Sequence, residues 1–211
     1  MSNTGNKKTT KSPDLVDEMA ASPEQPQSAL ELESKADAEE IVATEPTDPQ
    51  LQPDRKAFMQ ALLLSTLVFL LDQWSKQIAT AKLELYRPQA VFDWLNMMLA
   101  HNTGAAFSFL SNAGGWQVWF LSILAALISV VIVVWMYRLP VKEKVNLYAL
   151  AFILGGAIGN LVDRVRLGYV VDFIDAHWND AHWPAFNLAD SAIFLGVGLL
   201  ILGMFLYPQK K

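Results

Sequence analysis

The 211-residue chain contains no cysteine and only three histidines. Without cysteine there are no disulfides, no thiolate metal sites, no thiol-based catalysis and no lipidation of the chain's own cysteine. Whatever chemistry occurs must use oxygen and nitrogen groups. Aromatic residues are absent locally: residues 1–54 hold no Phe, Trp or Tyr, and set four Lys against twelve Asp and Glu, a net charge of −8. Residues 55–211 carry all seven Trp, eleven Phe and five Tyr, with twelve basic and nine acidic residues, a net charge of +3. The overall charge of −5 therefore describes a tail rather than the body of the protein.

That tail also has six of the ten prolines. It cannot bury enough apolar surface to offset its chain entropy, so residues 1–54 are expected to be a disordered acidic segment, with a transient helix at most over Ala29 to Ile41. No apolar stretch of signal-peptide type occurs in the first 50 residues. Residues 55–211 are expected to form one membrane-embedded domain.

Four segments approach the roughly 20 apolar residues needed to cross a hydrocarbon core. They run over about 57–79, 116–137, 146–164 and 187–207, and the second carries no charge. Trp116, Trp119, Trp135, Tyr137, Tyr148 and Tyr207 lie near their ends, as interfacial aromatics do. Arg55, Lys56, Arg138, Lys142, Lys144, Lys210 and Lys211 flank one side; Lys82, Arg87, Arg164 and Arg166 flank the other. This bias predicts both termini in the cytoplasm, with residues 80–115 and 165–186 on the outer face. Both outer segments are too apolar for free loops. The expected fold is therefore an all-α membrane protein of four transmembrane helices, with a small extended or β cradle and a short amphipathic segment on the outer, periplasmic face.

Ionisable groups in or near hydrocarbon are costly, which makes each one a functional candidate. Asp72 and Lys76 have the i, i+4 spacing of an ion pair, either a neutralised pair or a brace for a site. Asn160, Asp163 and Arg164 share one helix face beyond Gly155-x-x-x-Gly159, a pattern that lets another helix approach closely. They read as an Asp163–Arg164 structural network or as a site scaffold. His101-Asn-Thr-Gly-Ala-Ala-Phe, which includes Asn102 and Gly104, reads alone as a turn.

Asp172 lies just after the third span and Asp190 one turn inside the fourth. These spans run in opposite directions, so the two carboxylates return to one membrane depth. Asn187 and Asp190 have N-cap to N3 spacing, and a helix N-terminus favours a charged Asp190. The group Asp172, Asp175, His177, Asp180 and His182 resembles hard-metal or zinc ligands only superficially, since its spacing fits no metal motif. Ser191 has no base to activate it.

Two apposed aspartates can hydrolyse a peptide bond without metal or nucleophile. One ionised carboxylate takes a proton from water, while its protonated partner polarises the scissile carbonyl. Asp190 is the expected base and Asp172 the expected acid. A transporter with a proton or cation path, or a structural anchor, are competing classes; the first needs acids distributed through membrane depth, the second leaves the paired aspartates unexplained.

Leu71-Asp-Gln-Trp-Ser-Lys, His101-Asn-Thr-Gly-Ala-Ala-Phe, Gly155-Gly-Ala-Ile-Gly-Asn-Leu-Val-Asp-Arg, Val170-Val-Asp-Phe-Ile and Phe186-Asn-Leu-Ala-Asp-Ser, in this order, resemble the motif blocks of bacterial lipoprotein signal peptidase. The resemblance covers about residues 56–207. It implies an aspartic endopeptidase of the inner membrane that removes signal peptides from diacylglyceryl-modified prolipoproteins, cutting before the lipidated cysteine. The catalytic pair then falls on Asp172 and Asp190, and supporting or substrate-binding roles fall on Asp72, Lys76, Asn102, Gly104, Asn160, Asp163, Arg164 and Asn187. It further implies no cofactor, no catalytic metal and no nucleic-acid partner, contact with membrane lipid, sensitivity to globomycin-type inhibitors and a monomeric enzyme. The acidic tail departs from the family pattern.

Overall fold

A computed structural model describes residues 53–104 and 115–207. The expectations for residues 1–52 and for Ala105 to Leu110 lie outside the described residues. The chain runs α1 (Arg55–Lys82), β1 (Gln89–Phe92), β2 (Leu95–Asn102), α2 (Trp116–Arg138), α3 (Lys144–Leu167), β3 (Val170–Trp178), β4 (Ala181–His182) and α4 (Leu188–Leu206). All four helices are long and apolar enough to cross a membrane. The apolar segments read from sequence fall on them, with ends agreeing within three residues.

Asp54 starts α1 by accepting hydrogen bonds from the Lys56 and Ala57 backbone N–H groups. The buried face of α1 is a single stripe at helical spacing: Ala57, Ala61, Ser65, Val68, Asp72, Lys76 and Ala79. It turns from small apolar side chains to charged ones along its length, so the helix is greasy at one end of the bundle and polar at the other. In contrast, α2 and α4 present bulky side chains outward, with Phe194 83% and Phe205 78% exposed. Water would not tolerate so large an apolar surface, but lipid covers it.

Helix α3 is the hub, packed against the other three helices. Its glycines permit this: a Cβ on Gly155 would meet the Ser65 carbonyl oxygen at 2.6 Å, and one on Gly156 would collide with the Ala189 carbonyl. The apolar core gathers at the end marked by Ala57, Met136, Leu139 and Leu147. Pro53 bridges Pro140 there, so the start of α1 and the α2–α3 loop share one end of the bundle.

At the opposite end the strands form one antiparallel sheet in the order β1-β2-β3-β4. The central ladder pairs Met97 with Ile174 and Ala100 with Asp172, leaving an irregularity between them in which β2 carries one residue more than β3. Among the described residues the outer segments are strands and turns, without a helix. After β4 the chain returns through Phe186, whose carbonyl accepts from the Phe173 and Ile174 N–H groups, and then enters α4.

Candidate active site

The polar end of the bundle meets the sheet at one hydrogen-bonded network. Lys76 is its hub: its Nζ lies 2.8 Å from Asp72, 2.9 Å from Asp163 and 2.8 Å from Asn160 Oδ1. Three acceptors match the three protons of an ammonium group, and Lys76, Asp72 and Asp163 are all buried. The expected Asp163–Arg164 network is not what forms. Neighbouring helical residues point to different sides, so Asp163 accepts from Lys76 and Gln73, while Arg164 donates to the Asn160 and Gly104 carbonyls.

Asp72 reaches further, accepting at 2.9 Å from the Ala189 N–H in the first turn of α4. Asp163 accepts at 3.2 Å from the Val171 N–H, which pins the start of β3. The Lys76 cluster thus fixes the two chain segments that carry Asp172 and Asp190.

Asn187 joins those segments. Its Oδ1 accepts from the Asp190 N–H at 2.9 Å and its own N–H donates to Asp190 Oδ2 at 3.3 Å, a complete capping box at the N-terminus of α4. Its Nδ2 donates to Asp172 Oδ1 at 2.7 Å. The remaining oxygens are also held: Asn102 donates to Asp172 Oδ2 at 3.0 Å, and Asn160 donates to Asp190 Oδ1 at 2.7 Å. Asn102 in turn accepts from the Gly104 N–H. The ten residues to which the resemblance assigns catalytic or supporting roles therefore lie in one connected network.

The four carboxylates divide into two kinds. Asp72 and Asp163 are ion-paired to Lys76, whereas Asp172 and Asp190 form no ion pair among the described residues and take only neutral donors. Four carboxylates face two cations, Lys76 and Arg164, which favours retention of a proton. Burial and the neighbouring charge of Asp190 push Asp172 up to about 7, against the opposing pull of Asn102, Asn187 and Lys76. Arg164 Nε is buried with no partner among the described residues.

Two features escaped the sequence reading. Gln73 braces the cluster by donating to Asp163 at 2.9 Å, and its presence in an apolar span was the signal for it. Asp175 accepts from Asn96 and His182, away from the main network. Burial opposes its charge, but those hydrogen bonds outweigh it and hold Asp175 below the ordinary carboxyl range. Among the described residues no three His, Asp or Glu side chains cluster as metal ligands.

Comparison with known proteins places the chain in a family. The sequence model of the family described as signal peptidase (SPase) II matches residues 64–206. The lipoprotein signal peptidase of Alteromonas mediterranea is 50% identical over 157 residues, covering 74% of this chain and 86% of the relative. That of an Acinetobacter baumannii strain is 52% identical over 148 residues, covering 70% and 84%. Two solved structures described as bacterial membrane enzymes superpose with TM-scores of 0.62 and 0.60 at 26% and 27% identity, covering 76% of this chain and 98% and 99% of theirs. The chain is a multi-pass membrane protein that belongs to the signal peptidase II family.

Proposed function

We propose that this protein is an aspartic endopeptidase that removes signal peptides from diacylglyceryl-modified prolipoproteins, cutting before the lipidated cysteine. The observation that carries the mechanism is the contrast among the four acids: among the described residues only Asp172 and Asp190 of the four form no ion pair, and Asn187 touches both.

In this mechanism Asp190, at the N-terminus of α4, is the ionised base and Asp172 the acid. A water held between them gives a proton to Asp190 as its oxygen attacks the scissile carbonyl carbon. Asp172 donates its proton to the carbonyl oxygen, and the tetrahedral intermediate is neutral. Collapse breaks the C–N bond as Asp190 passes its proton to the leaving nitrogen. Asp172 recovers its proton from the intermediate's hydroxyl. The products are a carboxylic acid and the free amine of the modified cysteine. Arg164 Nε, which has no partner among the described residues, supplies a donor for substrate backbone.

Membership in this family and four spans with the polar network at one end support a site at the outer interface of the inner membrane, with both termini cytoplasmic. A lipidated substrate would keep its acyl chains in the bilayer while its extended backbone reached the sheet. Globomycin-type inhibitors would occupy the same cleft, and the enzyme would act as a monomer. No acid occurs in α2, so the helices offer no distributed proton path of the kind a transporter needs.

The test is cleavage of a purified diacylglyceryl-modified prolipoprotein by the full chain and by Asp172→Asn and Asp190→Asn. Both variants should lose cleavage, and full activity in either sinks the mechanism. Loss of activity on chelation would point instead to a metal enzyme.

A further inference from the structure

The hairpin between β3 and β4 lies outside the network above and holds two of the three histidines. Asn179 adopts φ 51°, a left-handed conformation that Asn tolerates, in a two-residue turn that pairs Trp178 with Ala181. The next pair in this register is His177 with His182. Their rings are stacked, with centroids 5.0 Å apart and planes inclined by 19°.

In each ring the same nitrogen is engaged. His182 Nδ1 lies 2.8 Å from Asp175 Oδ1, and His177 Nδ1 lies 3.2 Å from the Asn179 carbonyl oxygen. Carboxylate and carbonyl oxygens only accept, so both Nδ1 atoms carry the proton. In the neutral imidazoles the lone pairs are consequently at Nε2. Metal-binding histidines are prepared in this way, with one ring nitrogen donating to a carboxylate or backbone carbonyl while the other binds the ion. Asp175 is itself well supported: it is buried and Asn96 holds its other oxygen at 2.9 Å.

We propose that His177 and His182 form a two-histidine site for a divalent transition ion of the zinc type, with Asp175 and the Asn179 carbonyl orienting the ligands and water completing the shell. Two nitrogens bonded to one tetrahedral ion are roughly 3.3 Å apart, so the Nε2 edges of the rings must tilt together, with the Nδ1 hydrogen bonds as pivots. The site is separate from the reacting carboxylates: Asp175 bonds Asn96 and His182, neither of which joins the network of Asp172 and Asp190. It clamps β4, a strand of only two residues, onto β3.

The test is titration of Zn²⁺ into the full chain, free of any histidine tag, followed by calorimetry. Competing thiol and imidazole ligands are few, since the chain has no cysteine and one other histidine, His101. One Zn²⁺ should bind per chain. His177→Phe, which keeps a stacked ring but removes the ligand nitrogen, should abolish binding while cleavage activity reports an intact fold. His101→Ala should bind as the parent does. Asp175→Asn should weaken binding by about 10- to 100-fold, the usual cost of losing such a carboxylate. Absence of saturable binding, or binding undiminished in His177→Phe, overturns the proposal.

Discussion

Asn187 and Asp190 hold each other: each side chain accepts the other's backbone N–H, at 2.9 and 3.3 Å. The amide left over on Asn187 then reaches Asp172 at 2.7 Å. One side chain therefore starts α4 and ties together the two acids on which the proposed chemistry rests. Asn187→Ala should cost about 1 kcal/mol for the cap, and more for the buried groups it strands. Turnover should fall far more than the thermal midpoint suggests, by about 100-fold or more. Comparing kcat with thermal unfolding of the same preparation checks this.

Lys76 neutralises two buried carboxylates at once. Lys76→Met should destabilise the fold by about 3–5 kcal/mol, because Asp72 and Asp163 are left buried and unpaired. Adding Asp72→Asn and Asp163→Asn to Lys76→Met should recover much of the stability but not the activity, as the anchors of Ala189 and Val171 change character. Denaturation midpoints of the single and triple variants test this.

Asp172 carries its proton up to about pH 7, whereas an unfolded Asp loses it near 3.8. The folded state thus binds more protons between these values. The stability associated with this group is present below the lower value and lost as pH rises through about 7. In the proposed mechanism the acid form is required, so kcat/KM should fall as pH rises above the same value. Asp172→Asn should flatten the stability profile over this window, which pH-dependent unfolding measures directly.

Gly159 and Gly198 make a matched pair. A Cβ on Gly159 would strike the Asp72 carboxylate, whereas one on Gly198 meets nothing within 4 Å. Gly159→Ala should therefore displace Asp72 and abolish most activity. Gly198→Ala should leave cleavage unchanged and raise the thermal midpoint slightly, through helix propensity worth up to about 1 kcal/mol. Equal effects of both substitutions would show that close packing at Gly159 is unimportant.

The helices were legible because membrane crossing demands long apolar runs, and the site because carboxylates in such runs are too costly to be incidental. The i, i+4 spacing of Asp72 and Lys76 and the cap spacing of Asn187 and Asp190 are local geometry, which sequence carries directly. The third partner of that ion pair, Asp163, was not readable, since it depends on how α3 packs beside α1. Nor was the pairing of Asn96 with Asp175, because strand register is set by contacts distant in sequence and by the extra residue in β2. Ala189 as an anchor for Asp72 was invisible too: a backbone N–H has no residue signature.

That extra residue in β2 sets the register in which two amides meet two acids. Asp172 and Asp175 are three residues apart on β3, whereas their partners Asn102 and Asn96 are six apart on β2. The irregularity between Met97 and Ala100 shifts the count by one, so that both amides meet their acids. Chain length is therefore more tightly constrained here than side-chain identity. Substitutions at Met98 should be tolerated, whereas its deletion should move either Asn96 or Asn102 out of reach of its acid.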